Sequence, residues 1–228
     1  MAIERWELAQ RQKGNVAGAE VAKALRDQYG DVPLHQSVYD VSREQPTDSS
    51  AVEMPSPELR AKLEQAGFTA IYPLTKQSIK TLRDEGKPFW STWHNEYPEL
   101  EALPSRGTWV AINPDQLFLP DSNRKTLKEQ EQMVKKFSKD LKIDGVEAVI
   151  GEMPDYTELA FTHFDATGER LFGKNYSYNY ARTKTPTSGS DVAVVGNFGA
   201  DGGLVVSGWY RVRGDDHVFA SPLVVPKA

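Results

Sequence analysis

Helix and strand signals alternate through the middle of the chain, and from Gly168 onward the period switches to two, with glycine turns between segments. Together these predict an α+β fold: several helices packed on a mainly antiparallel sheet that ends in a C-terminal β-meander. A third observation sets the N-terminus apart. Residues 1–30 carry Ile3, Trp6 and Ala9, then Ala17, Val21, Ala24 and Leu25, at helical spacing up to Gly30, which predicts a helical extension. From Asp31 to Pro57 four prolines sit among many polar residues, and 31–57 reads as a linker or irregular segment, leaving 58–228 as the main domain.

The main body opens on SPELRAKLEQAG, where Ser56 is an N-cap, Pro57 suits the first helical position and Gly67 the stop. FTAIYPL predicts a strand, TKQSIKTLRDEG a short helix closed by Gly86, PFWSTWH a strand, and GTWVAINP a strand halted by Asn-Pro. Thr126 and Glu129 have capping-box spacing ahead of the apolar stripe Leu127, Val134, Phe137 and Leu141, the clearest helix in the chain. VEAVI reads as a short buried strand. Asp155 with Glu158 opens a helix whose face carries Tyr156, Leu159, Ala160, His163 and Phe164. The remaining segments, ERLF, NYSYNYARTKT, DVAVVGNF, LVVSGWYRVR and HVFASPLVVP, are separated by turn chemistry and form the expected meander.

Composition removes several function classes. The 228 residues hold no cysteine, which excludes disulfides, thiolate metal sites and a cysteine nucleophile. A formal charge of −5 argues against nucleic acid as the main partner. The longest apolar runs are a few residues, so no membrane span is expected, and the charged N-terminus MAIERWELAQRQKG lacks a signal-peptide core; a cytoplasmic protein is the expectation. GNFGADGG is followed by a strand and fits neither dinucleotide nor Walker spacing, so it reads as a hairpin loop and no cofactor is expected. His35, His94, His163 and His217 show no metal-ligand spacing, and no metal is expected. DDH at 215–217 and RGD at 213–215 read as turn chemistry.

The stretch left to carry function is NYSYNYARTKT. From Arg170 to Ser190 there are four cations and no carboxylate. In an extended chain Tyr176, Tyr178, Tyr180, Arg182 and Lys184 share one face, while in LVVSGWYRVR one face holds Trp209, Arg211 and Arg213. Such faces fit a row packed on helices, or a platform that stacks on and clamps an anionic or aromatic ligand. The expectation is binding, with these eight residues at or beside the recognition surface and a protein or small anionic or aromatic ligand as partner. Two alternatives stay open: a small hydrolase using His163 with Asp165, and single-stranded nucleic-acid binding by the tyrosine face.

One family resemblance bears on this. Tyr180-Ala181-Arg182-Thr183, the run from Val194 to Gly202, and Ala220-Ser221-Pro222-Leu223 resemble the ending of C-type-lectin-like domains of the formylglycine-generating type, including variable target proteins of diversity-generating retroelements. The resemblance covers about the last 50 residues, and Ser221 stands where the family places an arginine. It implies a ligand- or protein-binding module; formylglycine generation needs cysteines that this chain lacks.

Overall fold

The computed structural model describes residues 52–93, 96–172, 178–199 and 202–227. The expected extension over 1–30, most of the segment 31–57, and Tyr176, His35 and His94 lie outside them. Residues Ala51–Ala228 form one compact unit. Val52 and Met54, placed in the linker by the sequence reading, pack against a core of this unit.

The described elements include five α-helices and nine strands. In order they are α1 (Pro57–Gln65), β1 (Ala70–Pro73), α2 (Ile79–Asp84), β2 (Phe89–Ser91), α3 (Pro98–Glu101), β3 (Trp109–Ile112), α4 (Leu127–Leu141), β4 (Val146–Val149), α5 (Met153–Thr167), β5 (Tyr180–Pro186), β6 (Asp191–Gly199), β7 (Gly203–Tyr210), β8 (Val218–Phe219) and β9 (Leu223–Pro226). Local chemistry sets most boundaries. Ser56 accepts from the Leu59 N–H and caps α1. Ser78 with Thr81 and Thr126 with Glu129 form capping boxes at α2 and α4. Gly168, at φ 75°, ends α5 in the left-handed conformation that glycine adopts without strain.

Two mostly antiparallel sheets result, which makes the fold α+β. Sheet I has the order β1-β3-β9-β4 and is antiparallel throughout; sheet II has the order β2-β7-β6-β5-β8, with parallel pairing only at β2/β7 and β5/β8. Sheet I is buried on both faces. Val110, Ile112, Leu223 and Val225 join α5 and the inner face of sheet II in one core, while Trp109, Ala111, Val146, Ala148 and Val224 join α1 and α4 in the other. Strand alternation sends successive side chains to the two cores. Each large side chain so buried contributes roughly 1.5–3 kcal/mol.

Helix α5 differs from its predicted form. It starts at Met153, not Asp155, and Asp155 accepts from the Glu152 N–H at 2.9 Å. It is buried nearly all round because two sheets share it, so Asp155, Thr157 and Glu158 are as enclosed as Leu159. Buried carboxylates need donors. Glu158 accepts from the N–H of Thr75 (2.7 Å), the N–H of Gln77 (3.2 Å) and the hydroxyls of Thr75 and Ser105; Asp155 accepts from the N–H and guanidinium of Arg106. The helix thus fastens two loops with groups that periodicity alone assigned to a polar cap.

The meander holds for β5, β6 and β7 and fails on either side. ERLF is a turn with Leu171 and Phe172 in the core, not a strand. HVFASPLVVP is two strands in different sheets: β8 runs parallel to β5, and β9 crosses to the middle of sheet I. The break falls at Ser221-Pro222, where the Tyr156 hydroxyl donates to the Ser221 carbonyl at 2.5 Å. No helix among the described residues is long and apolar enough to cross a membrane.

Candidate functional site

Register places several of the predicted site residues on one face of sheet II. Tyr180 lies opposite Gly196 and through it Val205; Arg182 opposite Val194 and through it Ser207; Val192 opposite Trp209. That face is the one turned away from α5. It is not an open platform, since Arg182, Val192, Val194 and Val205 on it are buried.

The row expected from Tyr176 to Lys184 is shorter than period two implied. The strand begins only at Tyr180, while Tyr178 sits in a turn at φ 64° with its ring 68 % exposed. Arg182 is fully buried, and its guanidinium donates to the carbonyls of Tyr210 (2.6 Å), Arg213 (2.9 Å) and Lys125 (3.3 Å). Burial pulls its pKa down to about 10, with Asp215 opposing, so it remains a cation at neutral pH. Its two terminal nitrogens tie β7 and the following turn to the segment entering α4, which leaves them engaged inside the protein. A register irregularity follows Arg182, and the chain there turns towards α5: the Thr185 hydroxyl accepts from the Met153 N–H at 2.8 Å, and the Lys184 N–H donates to the Gly151 carbonyl at 3.0 Å. Lys184 therefore leaves the face that holds Arg182 and comes to the end of β4.

The remaining candidates scatter. Trp209 and Arg211 are half-buried, and Tyr210 carries the Arg213 guanidinium 4.7 Å from its ring centroid. RGD and DDH are structural: Arg124 donates its N–H to the Asp215 carbonyl and pairs with Asp216, and a Cβ on Gly214 would sit 2.2 Å from the Arg124 backbone. His163 and Asp165 are not brought together, because residues two apart on a helix do not face each other. His163 is buried with its Nδ1 2.9 Å from the Tyr72 hydroxyl, and burial pushes its pKa below the usual value; Asp165 pairs with Lys87. Among the described residues no group of three or more His, Asp or Glu side chains could hold a metal ion.

What Lys184 joins is a groove of about 410 Å³ along the edge of sheet I. One wall is the flank of α4, from Glu131 through Lys135 and Ser138 to Lys139, residues that recur at three- and four-residue spacing on one side of a helix. The other wall is Glu147, Val149 and Lys184, and the floor is Ala148 of the edge strand β4 with Ile150 just after it. The two walls lie on opposite faces of the sheet: Ala148 packs into the α4 core and Val149 into the α5 core. The groove thus straddles the strand's free edge. Three ammonium groups line it against two carboxylates, a net charge of +1 (three minus two), and none of the three lysines forms an ion pair among the described residues.

The sequence singles out Lys184 but none of the residues that line the groove with it. In LKEQEQMVKKFSKDL the apolar stripe is visible, and Lys135, Ser138 and Lys139 are visible as its polar flank. That this flank borders a strand edge is set by how α4 packs on β4.

A second cavity, of about 290 Å³, lies among Phe68, Ile112, Phe118, Phe137 and Pro222 at the margin of the α1–α4 core. No protein-family model, curated protein or solved structure matches this chain.

Proposed function

We propose that this protein is a binding module whose recognition site is the groove between α4 and β4, and that its ligand is anionic. The observation that carries this reading is the convergence of Lys135, Lys139 and Lys184 on one groove, none of them with a carboxylate partner among the described residues. The cationic part of the sequence expectation is kept in Lys184, and the tyrosine and Arg182 parts are set aside. The C-type-lectin-like resemblance of the last 50 residues implies the same functional class, a binding module.

Titration calorimetry with poly-L-glutamate as the probe tests the reading. Binding should weaken at least tenfold in the triple variant Lys135→Glu, Lys139→Glu, Lys184→Glu, with the thermal midpoint little changed, because exposed charges contribute little to stability. Affinity should also fall as salt screens the exposed ammonium groups. Unchanged affinity in the triple variant refutes the site. Tighter binding of oligodeoxythymidylate than of poly-L-glutamate at the same salt favours the single-stranded nucleic-acid alternative.

A further inference from the structure

Edge strand β4 and the residue after it have backbone groups that no described residue pairs. Antiparallel partners alternate between pairs that exchange hydrogen bonds and pairs that do not. The Lys227 N–H donates to the Gly145 carbonyl at 2.9 Å, and the β4–β9 register continues from there, so Glu147 and Val149 face β9 while Val146, Ala148 and the Ile150 N–H face outward. One outward group is already taken: the Ala148 N–H donates to the Ser138 hydroxyl at 2.8 Å. No described residue hydrogen-bonds the Ala148 carbonyl or the Ile150 N–H. Both residues are nearly buried, at 5 and 2 % exposure, where backbone groups are almost always paired.

We infer that the ligand of this groove is an acidic peptide segment in extended conformation, which adds as a strand to the free edge of β4. The inference rests on the anion-binding reading above and makes it specific. The Ala148 carbonyl and Ile150 N–H supply the backbone pairing, the mode in which a sheet edge gives affinity and flanking walls give specificity. Alternate side chains of an added strand point to opposite faces. One set meets Lys135 and Lys139 on the α4 wall, and the other meets Lys184 across the edge. A free phosphate or small carboxylate would use the lysines and leave the backbone groups unmet. Ser138 sits on the Ala148 N–H and so shortens the edge, and short edges are one of the ways in which proteins blunt exposed strands.

Fluorescence anisotropy with a labelled peptide of alternating Glu and Val, eight residues long, tests the inference on the full chain. Three comparisons are made: the same peptide N-methylated at every second amide, in both registers; inorganic phosphate as competitor; and the variant Ser138→Ala. Strand addition predicts at least a tenfold loss of affinity for one N-methylated register and no displacement by phosphate at millimolar concentration. It also predicts tighter binding by Ser138→Ala, about 2- to 12-fold, the effect of one added net hydrogen bond as the Ala148 N–H becomes free. Equal affinity of the parent and both N-methylated peptides, with sensitivity to the lysine variants kept, overturns strand addition and leaves the anion site standing. Peptide binding that ignores both the lysine variants and N-methylation overturns the two together, as does no binding by any probe.

Discussion

Arg182 offers the sharpest test of the fold. Its guanidinium is fully buried and serves three backbone carbonyls, Tyr210 at 2.6 Å, Arg213 at 2.9 Å and Lys125 at 3.3 Å. Arg182→Ala removes these charged donors together and opens a void. Each lost bond to a charged group is worth roughly 1.5–3 kcal/mol, and each acceptor left buried costs about 1–3 kcal/mol. The turn after β7 is exposed at Val212, Arg213 and Gly214, so water can reach part of the site and the lower ends of these ranges apply. A loss of about 3–5 kcal/mol follows, of the size seen when one partner of a buried charged network is removed. For a domain of this length each kcal/mol moves the midpoint by about 2–4 °C, so the thermal midpoint should fall by about 6–20 °C. Differential scanning calorimetry measures it, with Lys184→Ala as the control, for which an exposed lysine predicts a change within about 0.5 kcal/mol. A loss below about 1 kcal/mol for Arg182→Ala would refute the argument that the guanidinium holds this turn in place.

Two further predictions rest on α5. Burial lowers the pKa of His163, so the folded state disfavours the imidazolium. Its contribution to stability is complete above the unfolded pKa of about 6.5 and is lost as pH falls from there through the lowered folded value. Urea midpoints measured across that window should decline with pH in the parent and decline less in His163→Phe; equal slopes contradict the assignment. Glu158→Ala should remove the acceptor for the N–H groups of Thr75 and Gln77 and cost about 1–3 kcal/mol, the lower end applying where water reaches the exposed Thr75. Amide exchange localises the effect, since loss of protection should concentrate at Thr75, Gln77 and Ser105; a uniform loss across the chain would mean that Glu158 does not fasten those loops.

Much of this molecule is legible in one dimension. The capping signals of Ser56 and Thr126, the glycine stops at 67, 86 and 168, and the apolar periods of α4 and β6 depend on neighbours a few residues away. The sequence also establishes the α+β class and the absence of cysteine chemistry, because these need only the order of periods and the composition. The three-dimensional fold decided whatever depends on distant partners. HVFASPLVVP reads as one strand, yet β8 and β9 serve different sheets, since each pairs with segments far away in sequence. Arg182 and Lys184 look alike at a spacing of two. Tertiary packing seals the first against three carbonyls and, through the turn of β5 towards α5, delivers the second to the edge of β4 beside Lys135 and Lys139. A cation's role follows from which acceptors lie within 3 Å or so of it, and local periodicity carries no record of those.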